Sequence, residues 1–300
     1  MSGLKSWLWV AVLVVAIGPG VAADPIDLGK VMPMGDSITE GFPINGEAGY
    51  RLPLQQLLDA DGVLYDFIGT RTSNAPDPLL NPTFDPNHAG FPGFQVLNNN
   101  NPGTGDLAGR TSPVARSVAE QQIDAEVPDI VLLHAGIVDL INGDTQLQVA
   151  DDIDVLTAEL FTAAPSAHIV LASTIARTTS DTSILNRATQ FQARTLVGLG
   201  NNVTYAGLMA KRVTPDLLFD TVNPSPAGYA AMGQVWFDAL TSPLTPAPRT
   251  FDLSTPDNLP DHFYIPNGDN LAVRDDLPGP DAVNGVLGFT GNAADDTASA

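Results

Sequence analysis

The sequence predicts an α/β fold built on a parallel β-sheet. Short apolar segments alternate with helical patterns from about residue 30 to residue 240, which is the arrangement that βαβ units produce. The chain has 300 residues, of which 44% are hydrophobic, and this is enough apolar material to fill the core of one domain. The α/β domain is therefore expected over residues 24–240.

Five short apolar segments bounded by turn residues are predicted as strands. They are residues 30–34, 64–69, 129–134, 168–173 and 202–207. Helices are predicted between and after them, because apolar residues there recur at helical spacing. The predicted helices are residues 52–60, 113–125, 146–163, 184–197 and 226–240. Ser112-Pro113 and Ser225-Pro226 each place a capping hydroxyl before a proline suited to the first helical turn.

Residues 1–23 have the organisation of a signal peptide. Lys5 precedes an apolar run over residues 7–17, and a Gly-Pro-Gly break and small residues lead to Ala23. Cleavage is expected after Ala23, which predicts a secreted, periplasmic or cell-surface protein; an uncleaved N-terminal anchor is the alternative. No later segment approaches about 18 consecutive apolar residues, so no membrane span is expected in the mature protein.

The C-terminal sixty residues differ from the domain before them. Residues 241–250 contain three prolines and are predicted as a linker. Residues 251–300 contain nine aspartates and little apolar sequence, which predicts an acidic tail or the truncated start of a β-rich domain. Strand-like pieces are expected at residues 262–265 and 285–289.

The charge and the cysteine count exclude several function classes. The chain carries 34 acidic and 13 basic side chains, for a net charge of -21, so binding to nucleic acid is not expected. Two interpretations explain this excess of acidic residues: the protein comes from a halophilic or marine organism, or it is an ordinary acidic secreted protein. The absence of cysteine excludes a thiol nucleophile, a disulfide framework and thiolate metal sites. Only four histidines are present for base or metal chemistry.

Ser37 follows the first predicted strand in the sequence Gly35-Asp36-Ser37-Ile38-Thr39. This places its hydroxyl at the carboxyl edge of a parallel sheet, where α/β folds carry their reactive groups. The Gly-x-Ser-x-Gly elbow is absent, since position 39 is Thr. A polar turn in which Asp36 and Ser37 cap backbone groups is the structural alternative.

Four ordered blocks resemble the SGNH (GDSL-type) ester hydrolases. They are residues 35–39, 88–93, 133–139 and 220–229. Met32-Pro33-Met34 before the serine block, Gly49-Tyr50-Arg51 after it and a histidine ahead of a Gly-rich turn are similar to secreted carbohydrate esterases such as acetylxylan esterases. The resemblance implies a three-layer flavodoxin-like sandwich with five parallel strands in the order 2-1-3-4-5, no cofactor, and acetylated carbohydrate as partner.

The resemblance also implies roles for individual residues. Ser37 would be the nucleophile, and the backbone N–H groups of Ser37 and Gly93 would donate to the oxyanion. Asp220 would orient a histidine three residues later, but this position holds Asn223, whose amide cannot accept a proton near neutral pH. The family's third block has an asparagine as a further oxyanion donor, and Val138 stands in its place.

The four histidines offer one substitute for the missing base. His88 precedes Gly93 in the loop expected to line the site, so it is the candidate for a displaced base; a structural role beside the site is favoured over it. His134 ends a predicted buried strand, His168 starts one at the opposite edge, and His262 belongs to the tail. No metal site is expected from histidines placed this far apart.

The sequence leaves three functional hypotheses. The first is a secreted SGNH-fold protein with impaired ester hydrolysis. It binds a glycan in the cleft that corresponds to the family's active site, or it serves as a module of a surface protein. The second is an active carbohydrate esterase that uses Ser37 with His88 as base. The third is a decaying gene that keeps the fold without a function.

Overall fold

The computed structural model describes residues 25–42, 47–98, 105–109 and 117–242 with their side chains, and the backbone of residues 263–266 and 271–274. The predicted signal peptide, residues 243–250 of the predicted linker and most of the acidic tail lie outside the described residues, whereas Thr241 is the last residue of the final helix that the structure describes. The strand-like piece expected at residues 285–289 also lies outside them. These parts of the domain division therefore remain predictions.

A parallel sheet forms the centre of the domain, as predicted. Its strands are β1 (Asp27–Gly35), β2 (Leu64–Phe67), β3 (Ala89–Gly90), β4 (Ile130–His134), β5 (His168–Ala172) and β6 (Val203–Ala206). The five longer strands lie in the order β2-β1-β4-β5-β6. Numbered among themselves in chain order, they have the predicted order 2-1-3-4-5. The two-residue strand β3 was not predicted, and it pairs with the carboxyl end of β1.

Helices connect the strands and cover both faces of the sheet. They are α1 (Ser37–Glu40), α2 (Arg51–Ala60), α3 (Val118–Ala125), α4 (Ile137–Asn142), α5 (Gln146–Ala163), α6 (Ser183–Gly198), α7 (Met209–Arg212) and α8 (Pro226–Thr241). A 3₁₀ turn spans Pro215–Leu217, and an antiparallel hairpin joins β7 (Phe263–Pro266) to β8 (Leu271–Arg274). None of the helices in the described part of the chain has the length and apolar character needed to cross a lipid bilayer.

The sheet separates two hydrophobic cores, which gives the three layers. One core lies between the sheet and helices α3, α5 and α6, and the other lies between the sheet and helices α2 and α8. Alternate residues of each central strand enter opposite cores, as Met32 and Val31 of β1 do. Because both faces of the central strands are buried, β4 and β5 are continuous apolar runs apart from His134 and His168.

Side-chain caps fix where helices α3, α5 and α8 begin. Ser225 accepts a hydrogen bond from the N–H of Gly228 at 3.3 Å ahead of Pro226, so the predicted start of α8 is confirmed. The helix α3 begins at Val118, where Ser117 and Glu120 form a capping box. The predicted start of this helix at Pro113 lies in a segment that the structure does not describe.

Gly35 ends β1 at the point where two sequence blocks meet. Its register partner on β4 is His134, so the Ser37 block and the block that contains Val138 leave the sheet side by side. A β-carbon on Gly35 would overlap the carbonyl oxygen of His134 and come within 2.6 Å of Thr39 Oγ1. The two strands can approach this closely only because position 35 has no side chain.

Substituting Gly35→Ala is therefore expected to prevent folding, because the overlap involves backbone that cannot move aside. Gly198→Ala is the matched control, since nothing lies within 4 Å of its added β-carbon. The control is expected to leave stability unchanged or raise it by up to about 1 kcal/mol. Circular dichroism and thermal melting of the two variants measure the difference. A Gly35→Ala protein that melts like the parent would contradict the predicted overlap.

Candidate active site

Ser37 lies at the carboxyl edge of β1 as the first residue of the short helix α1. The preceding residue, Asp36, caps this helix by accepting the N–H of Ile38 at 2.9 Å. The carbonyl of Ser37 accepts the N–H groups of Gly41 and Phe42 at 2.9 and 3.0 Å. The backbone of Ser37 is thus fixed, while its half-buried hydroxyl makes no hydrogen bond to any other residue that the structure describes.

Asp36 is a buried carboxyl group directly beside the nucleophile position. Its second oxygen has no hydrogen-bond partner among the described residues. Burial raises the pKa of Asp36 to about 7, although the N–H of Ile38 acts in the opposite direction. A substantial fraction of this side chain is therefore protonated at neutral pH.

The loop that contains Gly93 is docked against the end of β1. Phe91 donates its N–H to the carbonyl of Gly35 at 2.8 Å, and Phe94 closes a turn by donating to the carbonyl of Phe91 at 3.1 Å. Pro92 and Gly93 are the central residues of this turn, and Gly93 has a positive φ of 74°. Proline followed by a residue with positive φ is typical of a type II turn, which requires glycine at position 93.

Asp220 and Asn223 form a local hydrogen-bonded pair. The carboxylate of Asp220 accepts the backbone N–H groups of Val222 and Asn223, each at 2.7 Å, and the side-chain amide of Asn223 at 2.9 Å. Burial opposes ionisation of Asp220, but the hydrogen bonds from Asn223 and Val222 outweigh it and lower the pKa of this carboxyl. Asp220 is therefore a charged carboxylate at neutral pH, and the orienting role that the resemblance gives it remains a prediction.

Asn223 occupies the position of the expected base and provides no proton acceptor of suitable pKa. Its side-chain nitrogen is held by Asp220 at 2.9 Å, and its Oδ1 is buried with no partner among the described residues. The residue is 7% exposed. An amide oxygen in this place accepts a hydrogen bond but does not remove a proton from a hydroxyl.

Val138 lies in the first turn of α4 and provides no hydrogen-bond donor to the site. Its side chain is buried and belongs to the core between the sheet and helices α2 and α8. The neighbouring Asp139 accepts the N–H of Val96 at 2.8 Å. Position 138 therefore lacks the amide donor that the resemblance implies, and the carboxylate of Asp139 holds the backbone of Val96.

Both ring nitrogens of His88 are committed to partners other than Ser37. Its Nδ1 accepts the N–H of Gly90 at 3.0 Å, and its Nε2 lies 3.1 Å from the carbonyl of Ser73. Burial, together with the positive charges of Arg51 and Arg71, lowers the pKa of His88 to about 3. His88 is thus a neutral, buried group that stabilises its loop, and its hydrogen bonds do not support the expectation of a displaced base.

Arg51 connects the loops behind the site. Its side chain is fully buried and donates to four backbone carbonyls at 2.9 to 3.2 Å, which belong to Thr39, Glu40, Ser73 and Pro86. Burial lowers the pKa of Arg51 to about 10, so it stays charged at neutral pH. The sequence marked Gly49-Tyr50-Arg51 as part of the resemblance, but it did not reveal this role.

The remaining described histidines, His134 and His168, make no hydrogen bond to Ser37 or Asp220. His134 is fully buried, both its ring nitrogens lack a partner among the described residues, and burial lowers its pKa to about 4. His168 begins β5 at the opposite edge of the sheet, as predicted, where its Nε2 lies 2.9 Å from Thr204 Oγ1. His262 lies outside the described residues.

Three buried carboxylates next to the site have the chemistry of a divalent cation site. Asp139, Asp144 and Asp152 each place one oxygen within 4.8 Å of the others. Burial raises the pKa of Asp139 to about 7, and the charges of Asp152 and Asp36 add to this effect. Clustered carboxylate oxygens are ligands that Ca²⁺ prefers. The sequence carries no motif that predicts this cluster, which α4, α5 and the turn between them bring together.

Comparison with known proteins identifies the fold. No protein-family model matches the chain. A multidomain esterase of Ruminococcus flavefaciens is 27% identical over 227 residues, which is 70% of this chain and 28% of that protein. The chain thus spans little more than a quarter of the length of this relative.

Two solved structures superpose on this chain over nearly the whole of their own length. The family 3 carbohydrate esterase of Clostridium thermocellum superposes with a TM-score of 0.56 at 23% identity, covering 71% of this chain and 94% of that one. The family 3 carbohydrate esterase of Talaromyces cellulolyticus gives 0.57 at 23% identity, with coverage of 70% and 95%. The chain therefore has the SGNH-hydrolase fold that its four sequence blocks predict.

Millimolar CaCl₂ is expected to raise the melting temperature relative to EDTA, because a cation would offset the repulsion among Asp139, Asp144 and Asp152. At a hundred times the dissociation constant, binding adds about 2.7 kcal/mol to the free energy of unfolding. Asp152→Asn is the matched variant: it is expected to be more stable than the parent in EDTA and to lose the response to calcium. Equal melting temperatures of the parent in CaCl₂ and in KCl of the same ionic strength would contradict a cation site.

The stability gap between the parent and His88→Gln is expected to narrow as the pH falls from 7 to 5. His88 is neutral in the folded chain, with a pKa of about 3, and accepts a proton near pH 6.5 when unfolded. Its contribution is thus present above pH 6.5 and is lost at about 1.4 kcal/mol per pH unit as the pH falls. Urea unfolding followed by tryptophan fluorescence measures the gap. A gap independent of pH would show that His88 does not stay neutral.

Proposed function

We propose that this chain is a secreted protein of the carbohydrate esterase type that recognises acetylated carbohydrate and hydrolyses its esters poorly or not at all. The observation that carries the proposal is the amide of Asn223, which Asp220 holds where the general base is expected. The signal-peptide pattern of residues 1–23 supports secretion.

The substrate class follows from the comparisons together with the sequence blocks. The curated relative is an esterase, and the two structures with TM-scores above 0.5 described above are carbohydrate esterases. Ser37, Gly93 and Asp220 retain the positions that the resemblance gives to the nucleophile, an oxyanion donor and the orienting carboxylate. An acetyl ester is therefore the ligand for which this cleft is built.

The chemistry of serine explains why hydrolysis is impaired. A serine hydroxyl is a poor nucleophile until a neighbouring base removes its proton. Loss of the base costs serine hydrolases about 10⁴ to 10⁶ in rate, and loss of one oxyanion donor costs roughly 10² to 10³. The two losses are not additive, but Asn223 and Val138 together remove the proton acceptor and one donor.

The groups that remain are suited to binding. The backbone N–H groups of Ser37 and Gly93 are donors for an ester carbonyl, and Asn223 Oδ1 is a buried acceptor. The hydrogen bonds of Asp220 keep the Asn223 amide in one orientation. A glycan-binding module of a surface protein is thus the form that the proposal takes if turnover is absent.

The active-esterase alternative lacks a base. His88 would have to give up its bond from Gly90 or its contact with Ser73 to reach the serine, and its low pKa makes it a weak proton acceptor. We therefore favour impaired hydrolysis over a displaced base.

The variant Asn223→His is expected to hydrolyse p-nitrophenyl acetate at least about 100-fold faster than the parent, because the new imidazole can donate to Asp220 and accept the proton of Ser37. Adding Val138→Asn is expected to raise the rate further by restoring an oxyanion donor. Initial rates on the purified mature proteins measure both effects.

Ser37→Ala in the Asn223→His background is the control and should return the rate to that of buffer. Substantial turnover by the parent that Ser37→Ala abolishes would contradict impaired hydrolysis. It would also require a base other than Asn223.

A further inference from the structure

Two phenylalanines are exposed beside the candidate site. Phe42 is 51% exposed and Phe219 is 63% exposed. All other aromatic side chains in the described part of the chain are buried or half-buried. Phe42 follows the Ser37 helix, and Phe219 directly precedes Asp220. The exposed aromatic surface of the described domain is thus confined to the two loops that carry the nucleophile and its partner.

Backbone hydrogen bonds fix both phenylalanines to the residues of the site. Phe42 donates its N–H to the carbonyl of Ser37 at 3.0 Å, and Phe219 donates its N–H to the carbonyl of Asn223 at 2.7 Å. The carbonyl of Phe42 also accepts the hydroxyl of Tyr229 at 2.7 Å. These bonds hold the main chain at both positions, so each exposed ring is presented from a fixed base.

We propose that Phe42 and Phe219 are stacking surfaces for the sugar rings of a neutral polysaccharide whose acetylated unit lies at Ser37. The inference rests on the proposed function and extends it from the acetyl group to the chain that carries it. A pyranose ring presents a face of C–H groups, which packs on the face of an aromatic ring while its hydroxyls remain in water. Phe42 and Phe219 are the exposed aromatic groups, among the described residues, that can provide such a face in the loops of Ser37 and Asp220.

A cavity that includes Tyr229 in its wall offers the polysaccharide a path away from the site. It has a volume of about 660 Å³, and it is connected to Phe42 through the hydroxyl of Tyr229, which donates to the carbonyl of Phe42. Its apolar lining comes from α2, from α8 and from the loop between β2 and β3. The residues are Leu52, Pro53, Pro76, Leu80, Pro226 and Ala230. Glu47, Gln56, Asp77 and Asn81 add hydrogen-bonding groups.

The charge of the chain selects a neutral ligand. Among the described residues that line the cavity there is no lysine, arginine or histidine, and the net charge of the chain is -21. Uronic acids and sulfated sugars would be repelled by this surface, whereas neutral hydroxyls can bond to its carboxylates and amides. Acetylated xylo-oligosaccharides are therefore suitable probes.

Isothermal titration of the parent with acetylated xylo-oligosaccharides tests the inference. Phe42→Ala and Phe219→Ala are each expected to weaken binding about tenfold, which is the loss typical of truncating an aromatic anchor. Phe219→Trp is expected to retain binding, because it keeps an aromatic face. Leu199→Ala is the matched control, since Leu199 is 76% exposed and lies at the end of α6; it is expected to bind like the parent. Circular dichroism checks that each variant is folded.

The outcomes separate this inference from the proposed function. If Asn223→His gains p-nitrophenyl acetate turnover but the two Phe→Ala variants bind oligosaccharide like the parent, the stacking role is overturned and the proposed function stands. If the parent binds no oligosaccharide and Asn223→His gains no turnover, both are overturned. Ring-dependent binding to phosphatidylcholine vesicles in place of oligosaccharides would overturn the saccharide ligand and indicate a lipid surface.

Discussion

The hydrogen bonds of the buried Arg51 guanidinium are the interactions on which the candidate site depends. It donates to carbonyl groups of three separate segments, which contain Thr39 and Glu40, Ser73, and Pro86. Removing it would leave buried carbonyl groups without partners, a loss that costs more than a typical hydrogen bond contributes. Glu40 is one of the acidic groups that favour its charged form, and it also accepts a bond from Ser73 at 2.5 Å. Arg51 thus ties the Ser37 helix to the loop that leads to His88.

The sequence predicts the sheet well and the site only partly, for physical reasons. Strands buried on both faces leave apolar runs such as β4 and β5, so their positions and order could be predicted. The two-residue strand β3 and the four-residue helix α1 are too short to produce a periodic pattern, and contacts with distant residues determine them. Ser37, Asp220 and Asn223 were found by their local motifs. The bonds of Arg51 join it to loops up to 35 residues away in sequence, and the approach of Asp139 to Asp152 depends on how the consecutive helices α4 and α5 pack, so local patterns reveal neither.

The two replaced residues differ in what they preserve. Asn223 makes a hydrogen bond to Asp220 through its side-chain amide, which is not a proton acceptor near neutral pH. Val138 joins the hydrophobic core and keeps no polar function. The first replacement leaves a polar group with a fixed direction, and the second leaves only packing. The polar group that survives these replacements is therefore the buried Oδ1 of Asn223.

Four buried titratable groups, two histidines and two aspartates, have opposite effects on the number of protons that the chain binds when it unfolds. Between about pH 4 and pH 6.5, unfolding would charge His88 and His134, which take up two protons. Over the same range, unfolding would release protons from Asp36 and Asp139, whose pKa of about 7 holds them protonated in the folded chain. The dependence of stability on pH is proportional to the net uptake of protons, so the contributions of the two histidines and the two aspartates have opposite signs. Protonation of these four groups therefore changes the stability in mild acid less than the two histidines alone would.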